Sequence, residues 1–148
     1  MKKKFLLILA LVVGLGITGF ATTADAGNIE DTDYKFYISS SGSSSYTDKR
    51  PKYDATSAYM MFDYIYVTGY GGGYHVKVVD SNGNDFSKFW WSPYFTYDTP
   101  FRTEAWIPNY AYEDRGYGVQ VKLKAEGSGG AGIWHSTGWW SPDSVGGN

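Results

Sequence analysis

The sequence predicts an all-β protein, a single antiparallel β-sandwich of about seven strands that follows an N-terminal signal peptide. Beyond residue 26, short segments of alternating apolar and polar residues are separated by Gly, Asn, Ser and Pro, and no helical period appears. The chain carries 14 Tyr, 8 Phe and 6 Trp, and all of them except Phe5 and Phe20 lie in this part. Aromatic side chains favour pleated strands, so composition and pattern indicate the same fold class.

Residues 1–26 have the three parts of a cleavable secretory signal peptide. Lys2, Lys3 and Lys4 are followed by an apolar run over 5–20 and then by Ala-Asp-Ala at 24–26. An uncleaved membrane anchor is the weaker interpretation, because the run of about 16 residues is shorter than the ~20 that span a bilayer. We therefore expect cleavage before Gly27, leaving residues 27–148 as one secreted β-sandwich domain.

The exported part is acidic and has no cysteine. Without Lys2, Lys3, Lys4 and Asp25 it carries 10 basic and 14 acidic side chains, a net charge of −4. This balance argues against nucleic acid and against docking on anionic lipid. Without a cysteine for lipid attachment or a second apolar segment, no transmembrane segment is expected in the mature chain. The predicted localisation is extracellular.

Seven strands are predicted in order at 33–40, 57–67, 74–79, 86–91, 102–107, 117–125 and 133–139. The sixth alternates most clearly, with Val and Leu on one face and Lys on the other. The second is apolar on both faces. One face carries Met60, Phe62, Tyr64 and Tyr66, which predicts a central strand between two layers.

Turns and one repeat complete the predicted organisation. Asn82-Gly83 predicts a hairpin between the third and fourth strands. Residues 41–56 form a polar connection in which Pro51 excludes a central strand. Val-Lys-Val at 76–78 and Val-Lys-Leu at 121–123 each precede Trp-Trp-Ser-Pro. The repeated elements can be interpreted as two related hairpins or as a coincidence, and both interpretations remain open.

No catalytic residue, cofactor or metal site is predicted. His75 and His135 lie on predicted strands, outside any local catalytic motif. A glycoside hydrolase would need two nearby carboxylates, for which Asp98, Glu104, Glu113 and Asp114 are candidates, although carboxylates of this kind are usually solvated loop residues. Residues 80–85 match only the first part of a calcium loop, and a hairpin turn explains all six.

The aromatic residues provide the best candidates for a binding site. Adjacent residues of a strand face opposite ways, so one member of each Trp-Trp pair is expected to face outward. Core packing is the competing interpretation for these indoles. Exposed indoles offer large, rigid faces on which sugar rings stack. The predicted ligand-binding residues are Trp90, Trp91, Trp106, Trp134, Trp139 and Trp140.

Two motifs resemble a known family. Residues 46–60 have the form Y-T-x-x-R-x-K-x(3)-T-S-x-Y-M, and residues 138–144 have the form G-x-W-S-P-D-S. With Asp-Thr-Asp-Tyr-Lys-Phe at 31–36, they resemble a family of small secreted Gram-positive proteins that is classed as a domain of unknown function. The resemblance spans most of 31–144 and matches less well over 86–107. It implies secretion and a β-rich domain, and it brings no catalytic residue.

These observations favour a secreted, non-enzymatic module that binds through exposed aromatic residues. The expected partner is a cell-wall glycan or another envelope component. The alternative is a bacteriocin-like antimicrobial effector, because lactococcin-type bacteriocins are similar in class: secreted, disulfide-free and aromatic-rich, although their motifs differ. A hydrolase is the third hypothesis.

Overall fold

The computed structural model describes residues 27–88 and 92–145; the predicted signal peptide lies outside the described residues. In these ranges the chain forms nine strands and one short helix, α1. Their bounds are β1 Thr32–Ile38, β2 Ser44–Tyr46, β3 Arg50–Lys52, β4 Ala58–Thr68, β5 Gly73–Asp80, β6 Tyr94–Thr96, β7 Thr103–Ile107, α1 Ala111–Arg115, β8 Val119–Ser128 and β9 Ile133–Ser141.

The strands form two antiparallel sheets. The first has four strands in the order β1-β9-β4-β7. The second has five, in the order β2-β8-β5-β6, with β3 paired to β8 as well. The all-β prediction is therefore confirmed. Among the described residues, no helix is long and apolar enough to cross a membrane.

One hydrophobic cluster draws residues from both sheets. The ring centroids of Phe36 on β1 and Tyr74 on β5 lie 6.0 Å apart. The rings of Phe62 on β4 and Phe95 on β6 are stacked, with a distance of 5.3 Å between their centroids. Tyr74 Oη and Ser136 Oγ lie 2.6 Å apart and form a buried hydrogen bond. Residues from both sheets thus share one core, in which several aromatic rings are in contact.

Strand β4 differs from its predicted alternation because of a β-bulge. Its register with β9 shifts between Phe62 and Tyr64. The extra residue reverses the alternation, so that Met60 and Phe62 are buried while Tyr64 and Tyr66 are exposed. The prediction that these four side chains share a face is wrong. The apolar character of both faces reflects an exposed aromatic surface rather than a second covering layer.

Two segments differ from their prediction: residues 86–91 form less regular structure than expected, and residues 41–56 form more. In its described part, the segment 86–91 has one isolated bridge, between Ser87 and Asn109, and residues 89–91 lie outside the described residues. The polar connection 41–56 contains the short strands β2 and β3, which both pair with β8. Pro51 lies in β3 outside the centre of the sheet, where a missing amide donor is tolerated.

The interpretation of the repeat as two related hairpins is wrong for the described residues. Strands β5 and β8, which carry the two Val-Lys elements, are neighbours in one sheet, with Val78 opposite Leu123. The second Trp-Trp-Ser-Pro element begins at the end of β9, which belongs to the other sheet. Because β8 and β9 lie in different sheets, they do not form a hairpin.

Candidate ligand-binding face

The six predicted tryptophans have different environments. Trp134 and Trp140 are 0% and 1% exposed and lie in the hydrophobic core instead of facing a ligand. Trp106 is 37% exposed, and Trp139 is half-buried. Trp90 and Trp91 lie outside the described residues. Two of the six are therefore core residues, and Trp106 and Trp139 reach the surface.

The alternation of β9 explains this division. Trp134, Ser136 and Trp140 point into the core, whereas His135 and Trp139 point to the opposite face. The strand lies between β1 and β4 in its sheet. Its outward residues therefore have neighbours on both sides, and those neighbours are largely aromatic.

We use the term aromatic face for the outward surface of the four-stranded sheet. Residues opposite each other in adjacent antiparallel strands project to the same side. Tyr37, His135 and Tyr66 form one such row across the sheet, and Trp139 lies in another. The seven ring-bearing residues of this face are Tyr37, Tyr59, Tyr64, Tyr66, Trp106, His135 and Trp139.

Several rings of the aromatic face are in contact. The centroid of the His135 ring lies 4.5 Å from that of Tyr37 and 6.3 Å from that of Tyr66. At the other end, the Tyr59 and Trp106 rings are 5.9 Å apart. Tyr37, Tyr64 and Tyr66 are 53–55% exposed, so half of each side chain is available to a ligand. From His135 to Ser141 the face extends roughly 20 Å along β9.

The charges on this face are mainly negative. Asp33 lies opposite Trp139, and Glu104 lies opposite Met61 in the same row. Lys35 lies opposite Thr137 in a neighbouring row. Glu104 accepts a hydrogen bond of 3.0 Å from the Tyr59 hydroxyl. The face therefore combines aromatic rings with carboxylates at the end that carries Tyr59 and Trp106.

Only Trp106 and Trp139 of the aromatic face were predicted as binding residues. The alternation of β1 was sufficient to place Tyr37 outward, because Tyr34, Phe36 and Ile38 alternate with it and are buried. His135 could be identified in the same way from its neighbour Trp134. Tyr64 and Tyr66 could not, because the bulge that reverses β4 has no clear sequence pattern.

The two motifs that carry the family resemblance meet in a buried ion pair. Lys52 Nζ lies 2.9 Å from Asp143 Oδ1, and both side chains are 0% exposed. The ammonium group also donates to the carbonyl oxygens of Thr56 and Pro142. Asp143 accepts hydrogen bonds from the backbone amides of Asn28 and Tyr53. All three ammonium hydrogens therefore have acceptors, which a buried charge requires.

Arg50 extends this group of contacts toward β9. Its guanidinium donates to the carbonyl oxygen of Trp140 at 3.1 Å and to Asn28 Oδ1 at 2.6 Å. It also lies 5.6 Å from the Trp140 ring centre, within cation–π range. We call Arg50, Lys52 and Asp143 the clasp. Its polar atoms are directed at the chain itself, so these motif residues stabilise the fold.

Asp143 makes stability sensitive to acid. Burial would raise the pKa of Asp143, but hydrogen bonds from Lys52, Tyr53 and Asn28 outweigh it and hold the pKa below its usual 3.8. A lowered carboxyl pKa contributes stability above the unfolded value, and this contribution is lost as the pH falls through the folded value.

We expect the stability difference between the wild-type protein and Asp143→Asn to be largest near pH 7 and to shrink below about pH 4. Urea unfolding at a series of pH values measures it. A difference that stays constant down to pH 3 would contradict the assignment.

Other candidate sites have internal explanations. The Asp80 side chain accepts hydrogen bonds from the backbone amides of Asn82 and Asn84, as expected for a closed turn. His75 contacts Ser92 Oγ through Nδ1 at 3.2 Å. Glu113 forms an ion pair with Lys88. Within 27–88 and 92–145, no group of three His, Cys, Asp or Glu residues could hold a metal ion.

A cavity of about 650 Å³ is lined by residues that do not belong to the aromatic face. Its walls include Gly71, Gly72, Tyr97 and Asp98. Gly72 has a positive φ of 74°, and a Cβ there would lie 2.2 Å from the carbonyl oxygen of Gly129. Glycine is therefore required for this turn to approach the neighbouring turn. Tyr97, which is 73% exposed, provides a comparison with the aromatic face.

These features define a β-rich protein of two antiparallel sheets with an exposed aromatic face and a buried ionic clasp. The chain belongs to the family described as "Protein of unknown function (DUF2712)", which it matches over residues 21–144. No curated protein matches the chain.

Proposed function

We propose that the protein is a secreted, non-enzymatic β-sandwich that binds a polysaccharide of the extracellular space or cell envelope through the aromatic face. The observation that carries this proposal is the gathering of seven ring-bearing side chains from four strands on one side of one sheet. Export is supported by the sequence pattern of residues 1–26.

Exposing so many aromatic side chains to water costs free energy. Large apolar patches on a soluble protein attract other molecules, and they commonly mark interaction sites. Tyrosine and tryptophan combine a rigid apolar ring with one polar atom, which suits the alternating C–H and hydroxyl surfaces of a sugar. A stretch of roughly 20 Å is long enough to contact several rings of one extended chain.

Substitutions on the aromatic face test the proposal. We expect Trp139→Ala and Tyr66→Ala each to weaken retention on insoluble polysaccharide by about tenfold, or ~1.4 kcal/mol, because each removes a stacking surface. The measurement is depletion of purified residues 27–148 by peptidoglycan, chitin and cellulose. Tyr97→Ala is the matched control and is expected to bind like the wild type.

Two results would count against the proposal. Absence of retention on every polymer would remove the polysaccharide ligand. Loss of retention in Tyr97→Ala alone would move the site to the larger cavity.

The same purified protein should be added to growing cultures of related bacteria, because growth arrest without polymer binding would favour the bacteriocin-like alternative.

A further inference from the structure

A cavity of about 250 Å³ lies at the end of the aromatic face that carries Tyr59 and Trp106. Asp31 and Glu104 also line it. Asp143 contributes to its wall, but that charge is already paired with Lys52. The cavity thus combines two aromatic rings with two carboxylates outside the clasp.

The two rings and Glu104 form a connected arrangement. The planes of Tyr59 and Trp106 are inclined at 57°, so their π-faces point in different directions. The Tyr59 hydroxyl donates to Glu104 Oε1, which holds the carboxylate beside the rings. Burial, followed by the hydrogen bond and charge of Glu104, raises the pKa of Tyr59 to about 12, so the hydroxyl remains a donor at neutral pH.

This chemistry favours a cation. An ammonium group is attracted to aromatic faces and forms charge-assisted hydrogen bonds with carboxylates. A neutral sugar uses the rings but gains little from two carboxylates. An acidic polysaccharide would be repelled by them and by the net charge of −4 of the exported part.

We propose that this cavity binds a protonated primary amine on a sugar ring, so that the polysaccharide recognised by the aromatic face contains amino sugars with free amino groups. The inference rests on the proposed function and adds the class of ligand to it. The rings of the remaining face contact the neighbouring sugars, and the cavity distinguishes free amines from acetylated ones.

The test compares two soluble probes of equal length, an oligomer of β-1,4-linked glucosamine and its N-acetylated counterpart. Titration calorimetry at pH 6 is expected to give at least tenfold tighter binding of the glucosamine oligomer. This preference should decrease with added salt, because partly exposed charges are screened. Glu104→Gln should reduce the ratio of the two affinities several-fold, and Asp31→Asn should do so independently.

The control is Asp98→Asn, an exposed carboxylate beside the other cavity, which should leave the ratio unchanged. Equal affinity for both probes would overturn the amine inference and leave polysaccharide binding intact. Absence of binding to either probe, together with no retention on the insoluble polymers, would remove both proposals. An unchanged ratio in both Glu104→Gln and Asp31→Asn would show that the preference arises elsewhere.

Discussion

Replacing Asp143 with Asn is expected to destabilise the folded chain by about 3–5 kcal/mol, because it removes the buried counter-charge of the Lys52 ammonium and leaves only the partly exposed Asp54, 3.9 Å away. The amide group of Asn would also present hydrogen atoms to backbone amides that now donate to the carboxylate. Urea unfolding at pH 7, followed by far-ultraviolet circular dichroism, measures the loss.

The matched control is Lys77→Met. Lys77 Nζ lies 3.0 Å from Asp85, nearly the same separation as in the clasp, but the two side chains are 43% and 42% exposed. Exposed pairs contribute about 0–1 kcal/mol, so this variant should unfold close to the wild type. Similar unfolding midpoints for Asp143→Asn and Lys77→Met would show that the clasp does not stabilise the fold.

A double-variant cycle separates the ion pair from general disruption of the region. Lys52→Met alone should also be strongly destabilising, because it leaves Asp143 buried and unpaired. The double variant Lys52→Met with Asp143→Asn should lose less than the sum of the two single losses, since neither charge remains. Additive losses would contradict direct coupling.

Trp140→Ala is expected to destabilise the protein by about 3–5 kcal/mol, whereas Trp139→Ala should cost less than about 1 kcal/mol. The two residues are neighbours on β9, but Trp140 is 1% exposed in the core and Trp139 lies on the aromatic face. Removing Trp140 opens a large cavity and also removes the ring near Arg50.

The two variants are informative together because one is expected to affect binding and the other is expected to affect stability. Trp139→Ala should keep the stability of the wild type and weaken retention on polysaccharide, whereas Trp140→Ala should lose stability. If Trp140→Ala does not fold, Trp140→Phe provides a smaller cavity and a measurable unfolding midpoint. Equal stability losses at positions 139 and 140 would contradict the assignment of the two faces of β9.

Local alternation made much of the strand content predictable. Strands β1, β4, β5, β7, β8 and β9 all lie within or close to predicted segments, and a period of two is visible in most of them. Helix α1, which is five residues long, was too short to produce a helical period. Strands β2 and β3 are three residues each, and their pairing with β8 rather than their composition defines them.

The aromatic face was only partly predictable from the sequence, because its composition depends on long-range packing. Trp106 and Trp139 were identified from composition, but Trp134 and Trp140 were included although they are buried. A tryptophan on a half-buried strand has the same local sequence context whichever face it occupies. The choice follows from which face meets the second sheet, and this depends on residues far along the chain.

The fold class and the alternation of regular strands such as β1 and β8 could be predicted from the amino-acid sequence alone, which also predicts export. The folded structure was needed to show that β9 lies between β1 and β4, which brings the rings of four strands together as the aromatic face. It also joined Lys52 to Asp143, 91 positions apart, in the clasp. Side-chain alternation is a local property, whereas strand order and ion pairing depend on long-range contacts that no short segment encodes.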